Sequence, residues 1–119
     1  MLILAAGAGR RLSPVTGDVP KQFYRPAEGP SLLENTIDRF GDIAEAERTV
    51  TVVDRSHRGF VADLALGRRL REVQYQEQDR GTAVGVLLGL SAILAKMPHA
   101  LVIMTPADHA VDHVWQFQA

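Results

Sequence analysis

Apolar and polar positions fall along this chain in blocks that read in turn as strand, loop and helix. MLILAA, residues 1–6, is apolar throughout and stops at a glycine, the pattern of a short strand buried on both faces. Residues 7–30 carry recurrent glycine and proline without periodicity and read as a long loop, a length that in compact domains signals function or disorder. SLLENTIDRF, residues 31–40, predicts a helix, because Ser31 and Glu34 have capping-box spacing and Leu33, Ile37 and Phe40 share one face. RTVTVVD at 48–54 is β-branched and strand-like. SHRGFVADLAL reads as a helix from Ser56 ending at Gly67, and REVQYQ at 71–76 as a strand. GTAVGVLLGLSAILAKM predicts a long apolar helix capped by Thr82. ALVIMTP at 100–106 predicts a second fully buried strand broken by Pro106, and the remainder a loop with a helical turn or two.

The order β-loop-α-β-α-β-α-β, with apolar strands and helical crossovers, predicts an α/β fold: a mostly parallel sheet between two helical layers. Ligands of such sheets bind outside the carboxyl ends of the strands, near the point where the strand order reverses. The opening loop leaves the carboxyl end of the first strand, and Asp108 follows the last one. These two stretches are expected to meet in one crevice.

Composition narrows the chemistry. At 119 residues the chain suits one domain. A formal net charge of −1 gives no general attraction to nucleic acid or to an anionic membrane, so anions would bind through a local cluster. There is no cysteine, hence no disulfide framework, thiolate metal site or cysteine nucleophile, which suits a cytoplasmic location. The most apolar stretch, 83–95, is shorter than the roughly 20 residues of a spanning helix.

The glycine-rich turn after the first strand, LAAGAGRRLSPVTGDVPKQF at 4–23, invites a phosphate-binding reading. It has no Gly-Lys-Ser/Thr triplet and so is not a P-loop. Leu12 stands where a dinucleotide fingerprint needs a third small residue, and Asp54 comes too late to serve its ribose. What remains is a backbone concavity at Gly7 and Gly9 with side-chain charge from Arg11 and Lys21, against the alternative of exposed cations on a flexible loop.

The full string resembles the signature of the sugar-1-phosphate nucleotidyltransferases, L-A-x-G-x-G-[ST]-R-L-x-P-x-T-x(n)-P-K. Leu4, Gly7, Gly9, Arg11, Leu12, Pro14, Thr16, Pro20 and Lys21 match in order, and Gln22-Phe23 is most similar to the mannose-1-phosphate guanylyltransferase branch. Arg10 departs from the usual Ser/Thr. EQDRGTAVGVLLGL, 77–90, resembles the branch's E-P-x-x-R-[NG]-T-A segment, with Gln78 read in place of the proline. VIMTPADHAV, 102–111, resembles its P-[AS]-D-H segment.

The resemblance implies a three-layer, Rossmann-like nucleotide-diphospho-sugar transferase fold, with residues 1–119 as the N-terminal part of a single such domain. It implies nucleotidyl transfer from a nucleoside triphosphate, GTP by branch, to a sugar-1-phosphate, mannose-1-phosphate by branch. Residues 7–9 (Gly7, Ala8, Gly9) would cradle phosphates, Arg11 would hold the departing pyrophosphate, and Lys21 would neutralise charge between the two substrates. Asp108 would ligate Mg2+, Gly81 and Thr82 would lie along the nucleoside, and Leu4, Ala5 and Ala6 would floor the base. The family's catalytic domain runs well beyond this length, so half a domain predicts an uncovered apolar sheet edge and self-association. The alternative function is a non-catalytic nucleotide-binding module or an inactive fragment of such an enzyme.

Other features have plainer readings. His109 and His113 have i, i+4 spacing that could hold zinc on a helix, but no further close ligand is evident; Asp112 and His113 read as surface residues and His109 as support for the loop. Asp108 could alternatively cap the last helical segment. Gly81, Gly85 and Gly89 mark one helix face, most simply for close packing on the sheet. GRRLRE at 67–72 reads as a solvated turn, and Ser56 and His57 as helix caps.

Overall fold

The computed structural model describes residues 1–63, 67, 69–78 and 80–119. Four strands, β1 (Leu2–Ala5), β2 (Val50–Asp54), β3 (Glu72–Gln76) and β4 (Met104–Pro106), form one sheet in the order β3-β2-β1-β4. All pairings are parallel, with Leu2 opposite both Val50 and Met104, and Val50 opposite Glu72. The helices are α1 (Ser13–Thr16), α2 (Leu32–Phe40), α3 (Arg58–Val61), α4 (Thr82–Lys96) and α5 (Val114–Gln118).

Period-two alternation divides the central strands between two cores. Ile3, Ala5 and Val53 face one side and pack with Phe23, Leu33 and Val61. Leu2, Val50 and Val52 face the other and pack with Ile93 of α4. Leu2, Ile3, Val52 and Val53 are fully buried, each contributing about 1.5–3 kcal/mol of transfer free energy. Helix α4 lies unusually near the sheet because Gly89 carries no side chain. A Cβ there would fall inside the van der Waals envelope of Leu2 Cδ1 and 3.0 Å from Val52 Cγ2. A Cβ on Gly85 would make only ordinary contacts, 3.4 Å from Gln76 Oε1 and 3.7 Å from Val52 Cγ1, and a Cβ on Gly81 would have open space around it, so of the three glycines it is Gly89 that close helix-to-sheet packing requires.

Helix α2 begins as its sequence predicts. The Ser31 hydroxyl accepts from the Glu34 N–H at 3.2 Å, and the Glu34 carboxylate accepts from the Ser31 N–H at 2.7 Å. Glu34 is buried and pairs with Arg25, and these contacts together hold its pKa below the usual value against the opposing effect of burial. Ser31→Ala is expected to lower unfolding free energy by about 1 kcal/mol in urea denaturation, because one buried N–H of the first turn loses its acceptor.

Several expectations are corrected. The opening loop contains short helical turns at Arg10–Leu12 and Lys21–Phe23 besides α1. The strand expected over 48–54 starts at Val50, after a turn at Ala46–Arg48. The helix expected from Ser56 is a turn, Arg55–His57, followed by α3; residues 64–66 of that expectation lie outside the described residues. Asp54 rather than Ser56 caps the turn, its carboxylate accepting from the Ser56 N–H at 2.8 Å, while His57 holds the N-cap position of α3 without a side-chain cap hydrogen bond. Thr82 is the first residue of α4 rather than its cap, a position held by Gly81. The apolar run at 100–106 is not a buried strand. Only Met104–Pro106 are strand, at the sheet edge, and Leu101 is 97% exposed. Asp108 is not a helix cap either, since α5 starts six residues later, behind His113.

Candidate functional site

A cleft of about 370 Å³ opens at the carboxyl end of the sheet, where β1 lies between β2 and β4 and the crossovers change faces. Leu4, Ala5, Ala6 and Gly7 enter it from the end of β1, and Pro106, Ala107 and Asp108 from the end of β4. Val52 and Gln76 lie beneath, and Gly81, Thr82 and Gly85 border it from the start of α4. A larger recess, about 440 Å³, lies at the amino end of the strands between Ile43, Met97 and Leu101.

Lys21 closes one side of the cleft. Its Nζ forms an ion pair and hydrogen bond with Asp108 Oδ2, both side chains being partly exposed. The contact joins the first loop to the last strand, so the two stretches expected to meet do so in direct contact. The backbone that brings Lys21 there depends on Gly9. This residue has φ +66°, and a Cβ on it would lie 3.0 Å from Lys21 N and Cγ. The position therefore needs glycine on two counts, backbone conformation and space.

Of the residues singled out in the sequence, Leu4, Ala5, Ala6, Gly7, Lys21, Gly81, Thr82 and Asp108 line the cleft, while Ala8, Gly9 and Arg11 stand outside its lining. Arg11 is exposed on the Arg10–Leu12 turn. Among the described residues no carboxylate pairs with Arg10 or Arg11. These cations are thus set for a ligand or for solvent, and not for the fold.

Two buried glutamines were missed. Gln22, 1% exposed, donates from Nε2 to the carbonyls of Ala5 at 2.7 Å and Gly7 at 3.2 Å, and its Oε1 has no partner. Gln76, at the end of β3, is 5% exposed with Nε2 unpartnered. Motif spacing could have found the second. Counted back from Arg80, the acid of E-P-x-x-R falls on Gln76 and the proline on Glu77, not on Glu77 and Gln78. The structure agrees with that register, because Gln76 lines the cleft while Glu77 is exposed and paired with Arg55.

Beneath Gln22 lies His57, its ring edge-on to Phe23 at 5.7 Å and to Phe60 at 6.4 Å. Burial pushes the His57 pKa down, with Asp54 opposing weakly. Above the unfolded value of about 6.5 this neutral histidine costs nothing; as pH falls through that value the unfolded chain takes up a proton that folded His57 resists, and stability is lost. Urea unfolding between about pH 7.5 and 5.5 should show that decline, and His57→Phe should flatten it.

The donor set bears on metal binding. No group of three His, Cys, Asp or Glu side chains gathers among the described residues, which leaves zinc at His109 and His113 without a site. Magnesium takes one or two carboxylates and completes its shell with phosphate oxygens and water, so the Asp108 carboxylate, already facing a cation, fits one ligand of such an ion. No described helix is long and apolar enough to cross a membrane.

The family model described as Nucleotidyl transferase matches residues 1–119. Mannose-1-phosphate guanylyltransferase of Escherichia coli is 31% identical over 123 residues, covering 98% of this chain and 26% of that protein. Bifunctional protein GlmU of Mycolicibacterium gilvum is 35% identical over 114 residues, covering 91% of this chain and 21% of that protein. The crystal structure of mannose-1-phosphate geranyltransferase from Thermus thermophilus superposes with a TM-score of 0.82 at 31% identity, over 98% of this chain and 34% of that one. The structure of the inositol-1-phosphate CTP transferase from T. maritima gives 0.64 at 30% identity, over 90% and 42%. The chain spans about a quarter of the length of the curated relatives it matches.

Proposed function

The chain belongs to the nucleotidyl transferase family, and from that premise we propose that it is the nucleotide-binding part of a sugar-1-phosphate nucleotidyltransferase using GTP and mannose-1-phosphate. The observation that carries the reading is the meeting of Lys21 and Asp108 across a cleft whose other walls are the glycine turn and the start of α4. Relatives named mannose-1-phosphate guanylyltransferase, at 31% and 32% identity, support this choice of base and sugar.

In the proposed reaction a phosphate oxygen of the sugar-1-phosphate attacks the α-phosphorus of the triphosphate. The bond from that phosphorus to the oxygen of the β-phosphate breaks, and pyrophosphate leaves. Nucleophile and leaving group are both phosphate oxygens, so no general base is required and positioning with charge neutralisation supplies the catalysis. Lys21, at the mouth of the cleft, brings a compact positive charge to the reacting phosphate. Arg11, without an acidic partner among the described residues, offers a bidentate fork to the outer phosphates. The backbone of residues 7–9 presents N–H groups toward the triphosphate, and the small side chains of Ala5 and Ala6 leave room for the base. Asp108 would hold magnesium, whose charge would help to neutralise the phosphates.

A second reading of the base rests on Gln76. A carboxylate only accepts hydrogen bonds and suits the paired N–H donors of guanine, whereas a carboxamide offers one acceptor and a donor, matching the adjacent N–H and carbonyl of uracil. With a carboxamide where the motif has a carboxylate, the paired-acceptor contact to guanine is given up and a contact that UTP can meet takes its place. Calorimetric titration with GTP, UTP and CTP in the presence of magnesium decides between them. Preference for GTP upholds the first reading, preference for UTP the second, and binding of none overturns both.

A further inference from the structure

Lys21 and Gln22 are adjacent in one turn but point differently. Lys21 reaches Asp108 across the cleft, while Gln22 is turned inward and buried. The orientation of the Gln22 amide is fixed by its surroundings. The carbonyl oxygens of Ala5 and Gly7 can only accept, so the nitrogen must face them. The same nitrogen is 3.3 Å from His57 Nδ1, and two hydrogens are thereby shared among three acceptors. The imidazole is the third acceptor in its neutral Nε2–H tautomer, and burial against Phe23 and Phe60 favours the neutral ring.

We propose that Gln22 is a positioning residue that sets the glycine turn against Lys21. Ala5 is the last residue of β1, and Gly7 lies just beyond it, where the chain leaves the sheet. One carboxamide, carried on the residue next to Lys21, supplies a partner to both carbonyls. It thereby fixes how far the turn stands from the lysine, and Gly9, in contact with Lys21, completes the same registration from the other side. The unpartnered Oε1 marks Gln22 as poorly chosen for stability alone, since a buried acceptor without a donor is a cost. An apolar side chain of equal length would remove that cost and keep the volume, but it could not index the turn.

The effect on ligand binding rests on the nucleotide-binding reading; the positioning itself does not, and the test separates them. Amide hydrogen exchange of the unliganded protein is compared for wild type, Gln22→Met and Gln22→Glu, the first removing both donors and the second keeping the shape while replacing two N–H donors by at most one O–H. Exchange over residues 4–12 is expected to rise about tenfold in both variants, the loss of roughly one hydrogen bond, while α4 and β2 keep wild-type protection. Affinity for the best-bound triphosphate is expected to fall by about the same factor. Unchanged exchange over residues 4–12, or an equal rise across α4 and β2, overturns the proposal. Wild type that binds no triphosphate, together with the expected exchange pattern, overturns the nucleotide reading and leaves Gln22 as the residue that positions the turn.

Discussion

Lys21→Ala is expected to abolish nucleotidyl transfer and to weaken triphosphate binding by about ten- to a hundredfold, the worth of a charge-assisted hydrogen bond to phosphate. The substitution removes the only cation that lines the cleft among the described residues and leaves Asp108 without its partner. An anionic ligand would then approach an uncompensated carboxylate, so the loss combines missing attraction with new repulsion. The mirror effect concerns metal. Without the competing ammonium, Asp108 should bind Mn2+ more tightly in the absence of nucleotide than it does in wild type. Arg11→Ala should behave differently, weakening a triphosphate more than the corresponding monophosphate. Calorimetry with both nucleotides and with Mn2+ alone checks each part. Wild-type triphosphate affinity in Lys21→Ala would mean that Asp108, not phosphate, is what Lys21 serves.

The second large effect lies in the core under α4. Leu2→Ala should cost about 2–5 kcal/mol, because Leu2 is fully buried and the surrounding sheet cannot collapse around the vacated space. Gly89→Ala alone should also destabilise. Its methyl would collide with Leu2 and crowd Val52, an overpacking cost of about 1–3 kcal/mol against a helix-propensity gain of about 1 kcal/mol. The double variant should be markedly more stable than the sum of the single losses predicts, since the alanine methyl at 89 enters the space that Leu2 leaves. Urea unfolding of the four proteins gives the coupling directly. Strict additivity would show that α4 moves away from the sheet instead of meeting it through Gly89.

Local and near-local features were legible in the sequence. The capping box of α2 was readable because its two residues are three apart and each bonds the other's backbone. The parallel sheet was readable from apolar runs separated by crossovers. The run at 100–106 misled for a physical reason: apolarity reports what a residue avoids, not what covers it, and at the sheet edge Leu101 and Met104 are exposed. Lys21 and Asp108 were found through motifs, though their direct contact is a property of the folded chain alone. Gln22 was invisible as a site residue because its partners are the carbonyls of Ala5 and Gly7 and the ring of His57, far along the chain or lacking any side-chain signature. Gln76 was within reach of the motif and was lost to a one-residue error of register, which in a strand moves a side chain from one face to the other.

The strand order also has a consequence for biosynthesis. β1 precedes both of its neighbours in the chain yet stands between them, pairing with Val50–Asp54 on one edge and Met104–Pro106 on the other. On the ribosome, both edges of an apolar strand must wait for partners, and the second arrives only after α4 has been made. Such non-local pairing is slow and leaves unpaired edges open to misassembly. The cleft is therefore the last part of this region to form: a nascent chain halted before β4 would carry the glycine turn and Lys21 but no Asp108 to receive them.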